Sequence, residues 1–290
     1  MAILCTSASM CNMFNYIYWN PDAVALSIGS FSFRWYGLCW ALALMSGYVV
    51  MNWLYRDQKI GKEKFEPLFL HIFLGVLIGA RLGHCLFYEP AYWLTHPIEM
   101  ILPIKRDISG SWHLVGYEGL ASHGGVLGMM AAIWLYCRRY KVNIMRVFDN
   151  MGVVAPLSAA LIRIGNLFNS EIVGNPTNMP WGFIFARNGD DFARHPAQLY
   201  EAMFYLLLFL VTIYIYRHAK NSVVGNGKMF GLCLTCIFVF RFFIEFLKEN
   251  QEAYESQMFL NMGQLLSVPL IIVGAYCLCG GRLCRKLGEK

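Results

Sequence analysis

Charge is scarce in this chain: Asp, Glu, Lys and Arg make up only 14% of its 290 residues. A soluble domain carries about 25%, so there are too few charged groups to keep a whole surface wet. Acidic residues are scarcer than basic ones, 18 against 24, for a net charge of +6. The basic excess is spread over short segments between apolar runs, which argues against a groove that tracks nucleic-acid phosphates. There is no internal repeat, direct or inverted, and no low-complexity stretch. The first dozen residues lack the basic start and continuous apolar core of a signal peptide. Residues 1–12 therefore read as a disordered extension, with Met13 an alternative start, ahead of one catalytic domain over 13–290. The ten cysteines include one closely spaced pair, Cys233-x-x-Cys236, with no second pair and no flanking His. That excludes a zinc-ribbon pattern, and cysteines inside apolar runs behave as small hydrophobes. Cys5 and Cys11 would pair only outside a membrane, and the sequence does not decide whether they do.

What the chain has is apolar length. Hydrophobic residues reach 57%, aromatics 16%, and mean hydropathy is +0.45. A helix needs roughly 20 apolar residues to cross a bilayer, and seven runs qualify: Phe33–Leu54, Pro67–Tyr88, Leu120–Tyr136, Asn150–Phe168, Gln198–Tyr216, Met229–Leu247 and Gly263–Cys284. The predicted fold is an all-α polytopic membrane protein with about seven transmembrane helices. The third and fourth runs are rich in Gly, Ala and Ser, as in helices that pack closely.

Lysine and arginine set the expected orientation. Segments after the first, third, fifth and seventh runs hold 15 of them, and the alternate segments only Lys105, Arg106, Arg187, Arg194 and Lys248. By the positive-inside rule the N-terminus is outside and the C-terminus cytoplasmic. Two outside segments, about 89–119 and 169–197, mix aromatics, Pro and Gly without a sustained helical pattern, and read as ordered external loop regions.

Four arginines remain: Arg34, Arg81, Arg163 and Arg241. A mid-membrane arginine costs at least about 2.5 kcal/mol, so each needs a partner or a purpose. With the orientation above, Arg81, Arg163 and Arg241 fall in outer half-spans, where Tyr36, His123, Gln198, Glu201 and Gln264 also lie. Arg163 and Asn166 are three apart, and Arg241 and Glu245 four apart, spacings that share a helix face. Each has a plainer reading: Glu245 neutralises Arg241, Arg81 snorkels to headgroups, and His123-Gly124-Gly125 marks a close helix crossing. Gathered in one layer, they point to a site for an anionic group, and phosphate suits arginine's planar fork.

The stretch Arg163-Ile-Gly-Asn-Leu-Phe-Asn-Ser-Glu-Ile-Val-Gly174 resembles the signature of the prolipoprotein diacylglyceryl transferase family. Arg34-Trp-Tyr-Gly37, Ser122-His-Gly-Gly125, His195-Pro-Ala-Gln-Leu-Tyr-Glu201, Arg241-Phe-Phe-Ile-Glu245 and Met262-Gly-Gln264 support it in the family's order, and the resemblance runs from about Asn15 to Arg285. Two departures are Ile162, where the signature usually has Gly before its arginine, and Ser170, where it usually has Gly before the glutamate.

The resemblance implies an enzyme of a bacterial inner membrane, its site towards the periplasm. It would move the diacylglyceryl group of phosphatidylglycerol onto the lipobox cysteine of a prolipoprotein signal peptide. The products would be a thioether and glycerol phosphate, and no metal, cofactor or nucleic acid is implied. The expected catalytic residues are His123, taking the thiol proton, and Arg163 and Arg241, holding the phosphate. Tyr36, Gly124, Gly125, Asn166, Glu171, Gly174 and Glu245 are expected to bind substrate. A transporter of an anionic solute is the alternative, although transporters commonly show internal repeats and midplane sites. A non-catalytic scaffold would leave the arginine cost unexplained.

Overall fold

The structure is a computed structural model, and it describes residues 3–4, 16–29, 31–88, 90–101, 104–106, 111–114, 121–249 and 259–288. Most of residues 1–12, with Cys5 and Cys11, lie outside the described residues. The fold is mostly helical. In chain order the helices are α1 (Trp35–Asp57), α2 (Lys62–Phe87), α3 (Pro90–Thr95), α4 (Pro97–Ile101), α5 (Ser122–Tyr140), α6 (Ile144–Asn169), α7 (Ala197–Val223), α8 (Lys228–Ile244), α9 (Met262–Leu278) and α10 (Arg282–Gly288). Short strands qualify the all-α expectation. Strands β1 (Ile3–Leu4), β2 (Ile17–Trp19) and β7 (Phe183–Phe185) form one sheet in that order. Strand β3 (Val24–Ile28) pairs with β4 (Phe31–Arg34), and β5 (Ile104–Arg106) with β6 (Trp112–Leu114), each antiparallel.

Five helices are long and apolar enough to cross a bilayer: α1, α2, α6, α7, and α8 with its 3-10 extension to Leu247. The seventh run forms α9 and α10, bent by 61° at their break, so it supplies a sixth only if the bent pair counts as one span. Gly280 sits at that break with φ +70°, a conformation that favours glycine. The third run does form a helix, but His123 opens α5 and Arg138 and Arg139 close it, and it is not among the five. Among the described residues five helices, or six counting the bent pair, are thus candidate spans by length and composition, and the chain is a polytopic membrane protein. Arg34 ends β4 and is exposed, ahead of the helix that the first run forms.

The chain divides into two compact units, one made of the described residues up to Trp53 and from Phe148 onward, the other of Leu54–Val147. In the second unit α2 and α5 touch along a stripe of glycines. A Cβ on Gly79 would lie 2.7 Å from the Gly128 Cα, and one on Gly83 2.7 Å from the Gly124 Cα. No side chain fits there, so the two backbones meet directly, the arrangement small residues permit in membranes. Arg81 does not reach for headgroups: it is buried, its Nε donates to the Met100 carbonyl at 3.1 Å, its Nη2 to the Glu99 carbonyl at 2.8 Å, and it lies over the Trp93 ring. It therefore ties α2 to the short helices α3 and α4.

In the first unit the fully buried Asp149 holds the turn between α7 and α8. Its Oδ2 accepts from the backbone N–H groups of Gly225 (2.7 Å), Asn226 (3.1 Å) and Gly227 (2.9 Å), and its Oδ1 from Phe230 (3.0 Å). A carboxylate placed there satisfies donors that the first turn of α8 cannot pair by itself. The eight described cysteines are free thiols, Cys233 and Cys236 among them.

Gly79→Val should drive α2 from α5 and cost about 1–3 kcal/mol, read as a lowered Tm of the detergent-purified protein. Gly37→Val is the control, because a Cβ there meets nothing within 4 Å. Equal Tm values for the two variants would show that the glycine stripe is not what joins these helices.

Candidate active site

The site lies in the first unit and starts where α6 ends. The last turn of α6 presents Arg163 and Asn166 on one face, as their spacing requires. The chain then turns through Ser170 and Ile172, both left-handed at φ 56° and 55°. Ser170 takes the position after a helix end where glycine is the usual residue, and its N–H bonds the Leu167 carbonyl at 3.1 Å. This gives a backbone reason for the glycine that the family signature usually carries at that point. Ile172 is β-branched, so its conformation is strained, of order 1–3 kcal/mol, and such strain gathers at functional sites. The strained turn holds Glu171 between its two left-handed neighbours. The Glu171 carboxylate accepts from Asn166 Nδ2 at 3.1 Å and from Asn169, and its backbone carbonyl accepts from the buried Gln198. Arg187 donates to the Phe168 carbonyl and Asn188 to the Ser170 carbonyl, each at 3.0 Å, closing the end of α6.

A small core supports this end. Leu167, Val173, Phe183 and Phe185 cluster with Ile17, Trp19 and Leu199 packed against them. The Trp19 indole donates to the Leu167 carbonyl at 2.9 Å, and Trp35 stacks on Phe168 with ring centroids 4.8 Å apart. Tyr36, one residue further into α1, packs over Gly165, where a Cβ would meet its ring at 3.1 Å. The structure thus brings Tyr36 onto the Arg163–Asn166 turn.

From Arg163 a chain of charges runs through the unit. Arg163 Nε lies 2.9 Å from Oε2 of Glu201, off the hydrogen-bond line, and its Nη1 donates to Asn166 Oδ1 at 3.3 Å. The other Glu201 oxygen accepts from Lys248 Nζ at 3.0 Å. Lys248 also donates to Glu245 Oε1 at 3.2 Å, and Glu245 pairs with Arg241 Nε at 3.5 Å. The order is Arg163, Glu201, Lys248, Glu245, Arg241, alternating in sign. Glu201 is fully buried and Lys248 nearly so, whereas the Arg241 side chain is 38% exposed. Three cations against two carboxylates leave this chain of five with one surplus positive charge. Buried charges persist only when paired and hydrogen-bonded, and here every interior member is flanked by opposite charge. Asn261 donates to the second Glu245 oxygen at 3.4 Å. It also caps α9 in a reciprocal box with Gln264, whose amide reaches the Phe242 carbonyl at 3.3 Å.

Lys248 is delivered by the backbone. Residues 173–175 lie against 247–249, with Asn175 N–H on the Leu247 carbonyl at 2.8 Å and Glu249 N–H on the Val173 carbonyl at 3.3 Å. Gly174 sits where this pair crosses a third strand of chain: a Cβ there would be 2.6 Å from the His195 carbonyl and 2.7 Å from the Leu247 carbonyl. Nearby, Arg194 bridges Asp190 at 2.8 Å and Glu249 at 3.2 Å. Burial works against the Arg194 charge, but the two carboxylates outweigh it and raise its pKa. The His195 ring nitrogen Nδ1 is 3.2 Å from the Tyr200 hydroxyl, and burial holds its pKa below the ordinary histidine range.

Of the residues singled out from the sequence, Tyr36, Arg163, Asn166, Glu171, Gly174, Arg241 and Glu245 fall in this unit. His123, Gly124 and Gly125 belong to the other, where His123 is exposed near the start of α5 and the two glycines pack against α2. Two residues central to the charge chain were not among the expected site residues. Glu201 was placed with Gln198 in the outer half-spans, but nothing in the sequence linked it to Arg163. Lys248 counted as a loop lysine, and no local signal marks it as buried.

The sequence matches the family model described as prolipoprotein diacylglyceryl transferase over residues 23–279. It is 52% identical over 267 residues to a phosphatidylglycerol–prolipoprotein diacylglyceryl transferase of Bacteroides fragilis, covering 92% of this chain and 96% of that protein. Similar proteins of the same name come from Chloroherpeton thalassium, 41% identical over 90% of this chain and 92% of the relative, and Tolumonas auensis, 39% identical over 89% and 95%.

Gly174→Ala should push residues 173–175 away from 247–249 and draw Lys248 out of the charge chain. Overpacking of this kind costs about 1–3 kcal/mol, so thermal unfolding in detergent should shift down by several degrees. An unchanged Tm would mean that the three backbone segments are not held this closely.

Proposed function

The chain belongs to the prolipoprotein diacylglyceryl transferase family, and on that premise we propose that it transfers the diacylglyceryl group of phosphatidylglycerol to the lipobox cysteine of a prolipoprotein signal peptide. The observation that carries this reading is the charge chain: two arginines held on carboxylates, Glu201 fully buried and Glu245 partly so, with one positive charge in surplus within the chain. Cysteine sulfur attacks the glyceryl carbon next to the phosphodiester oxygen, the carbon–oxygen bond breaks, and a carbon–sulfur bond forms. Glycerol phosphate leaves with its phosphate charge raised from one to two. Guanidinium groups already held in place favour that change without reorganising.

Arg163 and Arg241 hold the phosphate in this proposal. Each sets Nε against its carboxylate; Arg163 also donates from Nη1 to Asn166, and the guanidinium N–H groups that remain on the two arginines take the phosphate oxygens. Asn166, Glu171, Gly174 and Tyr36 orient the lipid headgroup, and Glu245 keeps Arg241 in register. His123, with Gly124 and Gly125 beside it, takes the thiol proton, because a free thiol of pKa about 8.5 is mostly protonated at neutral pH. Residues 13–290 act as one catalytic domain in a bacterial inner membrane, spanning it seven times, with the N-terminus and the segments 89–119 and 169–197 outside. Support for that orientation is the distribution of 15 Lys and Arg against five.

Purified protein with phosphatidylglycerol and a lipobox peptide should release glycerol phosphate and add a diacylglyceryl mass to the peptide. If it does neither, and instead moves an anionic solute into vesicles, the transporter reading replaces this one. Arg163→Lys keeps the charge but loses the fork, and transfer should fall about 100-fold or more. Near-normal transfer would remove Arg163 from the phosphate. His123→Gln should also slow transfer about 100-fold, the usual worth of a general base. A variant that transfers well would place the proton acceptor elsewhere.

A further inference from the structure

Lys248 is the member of the charge chain that touches neither arginine, yet it joins the carboxylates that hold both. Its ammonium is buried, 3.0 Å from Glu201 and 3.2 Å from Glu245. Without it the remaining four charges would form two separate ion pairs, Arg163 with Glu201 and Arg241 with Glu245, and the surplus charge would vanish. Each carboxylate would then have only its own arginine as a cationic partner in the chain, and would turn more of its oxygen lone pairs towards that guanidinium. A shared ammonium instead draws one oxygen of each carboxylate inward. The backbone argues the same way, since pairing of 173–175 with 247–249 couples the lysine's position to the strained turn that carries Glu171.

We infer that Lys248 is a positioning residue: by bridging Glu201 and Glu245 it holds Arg163 and Arg241 as one rigid pair set for a single phosphate, and it supplies the surplus positive charge of the five-member chain. Lys248 does not contact substrate. The inference rests on the transfer reaction proposed above, and it adds a specific expectation. Losing the lysine should impair the step in which phosphate gains charge more than it impairs lipid binding.

The test compares wild type, Lys248→Met, Lys248→Arg, Glu201→Gln and the double variant Glu201→Gln with Lys248→Met. Each is assayed for kcat and KM towards phosphatidylglycerol per folded molecule, well below its own Tm. Lys248→Met should lower kcat by about 100-fold or more and move KM by less than about fivefold, since the loss falls on the transition state. Lys248→Arg, which keeps a cation between the carboxylates, should recover kcat to within about tenfold of wild type. Should Lys248→Met fail to fold because it strands a buried carboxylate, the double variant removes one charge of each sign and avoids that penalty. In that background the added Lys248→Met change should still lower kcat about tenfold below Glu201→Gln alone, because the Glu245–Arg241 arm has lost its anchor. A kcat per folded molecule within about threefold of the parent, in whichever backgrounds fold, would overturn the positioning role. A wild type that transfers nothing would instead overturn the reaction on which the inference rests.

Discussion

The arrangement depends on one electrostatic constraint: carboxylates buried in a membrane protein must have cations around them. Glu201 is fully enclosed and sits between Arg163 and Lys248, and Glu245 sits between Lys248 and Arg241. Removing a cation from beside the enclosed Glu201 is far more costly than losing a surface ion pair. The rest of the first unit reads as a frame for this constraint. Helix α6 supplies Arg163, α7 Glu201, and α8 with its extension Arg241 and Glu245, while α9 closes on Glu245 through Asn261.

Local strain is concentrated beside that frame. Ser170 and Ile172 are held left-handed on either side of Glu171, against the preference of an L residue and of a β-branched one above all. Strain of this kind persists only where the surroundings over-determine the backbone. Here the Glu171 carboxylate, the Gln198 amide, the Arg187 and Asn188 caps and the core around Phe185 all act on the same few residues.

The second unit is organised by a different principle. Its two long helices meet backbone to backbone along glycines, and its buried arginine, Arg81, is spent on the carbonyls of Glu99 and Met100. The same residue type therefore has two uses in one chain. Arg81 has its fork turned onto backbone oxygen, whereas Arg163 and Arg241 each set Nε against a carboxylate. Composition alone gives no means of telling these apart.

Much was legible from the amino-acid order alone. Apolar runs of spanning length, the i, i+3 and i, i+4 pairs Arg163/Asn166 and Arg241/Glu245, and the family resemblance carried by six motifs are all local features, because helical periodicity fixes which neighbours share a face. The polytopic class followed from them, as did the choice of Arg163 and Arg241 as candidate phosphate ligands. Tertiary structure alone decided the bend between α9 and α10, the fate of Arg81 and the burial of Lys248. Those depend on which carbonyls, glycines and carboxylates meet across distant segments, as when residues 173–175 pair with 247–249. A lysine in a predicted loop looks solvated until a second strand of chain covers it, and no periodicity within its own segment records that cover.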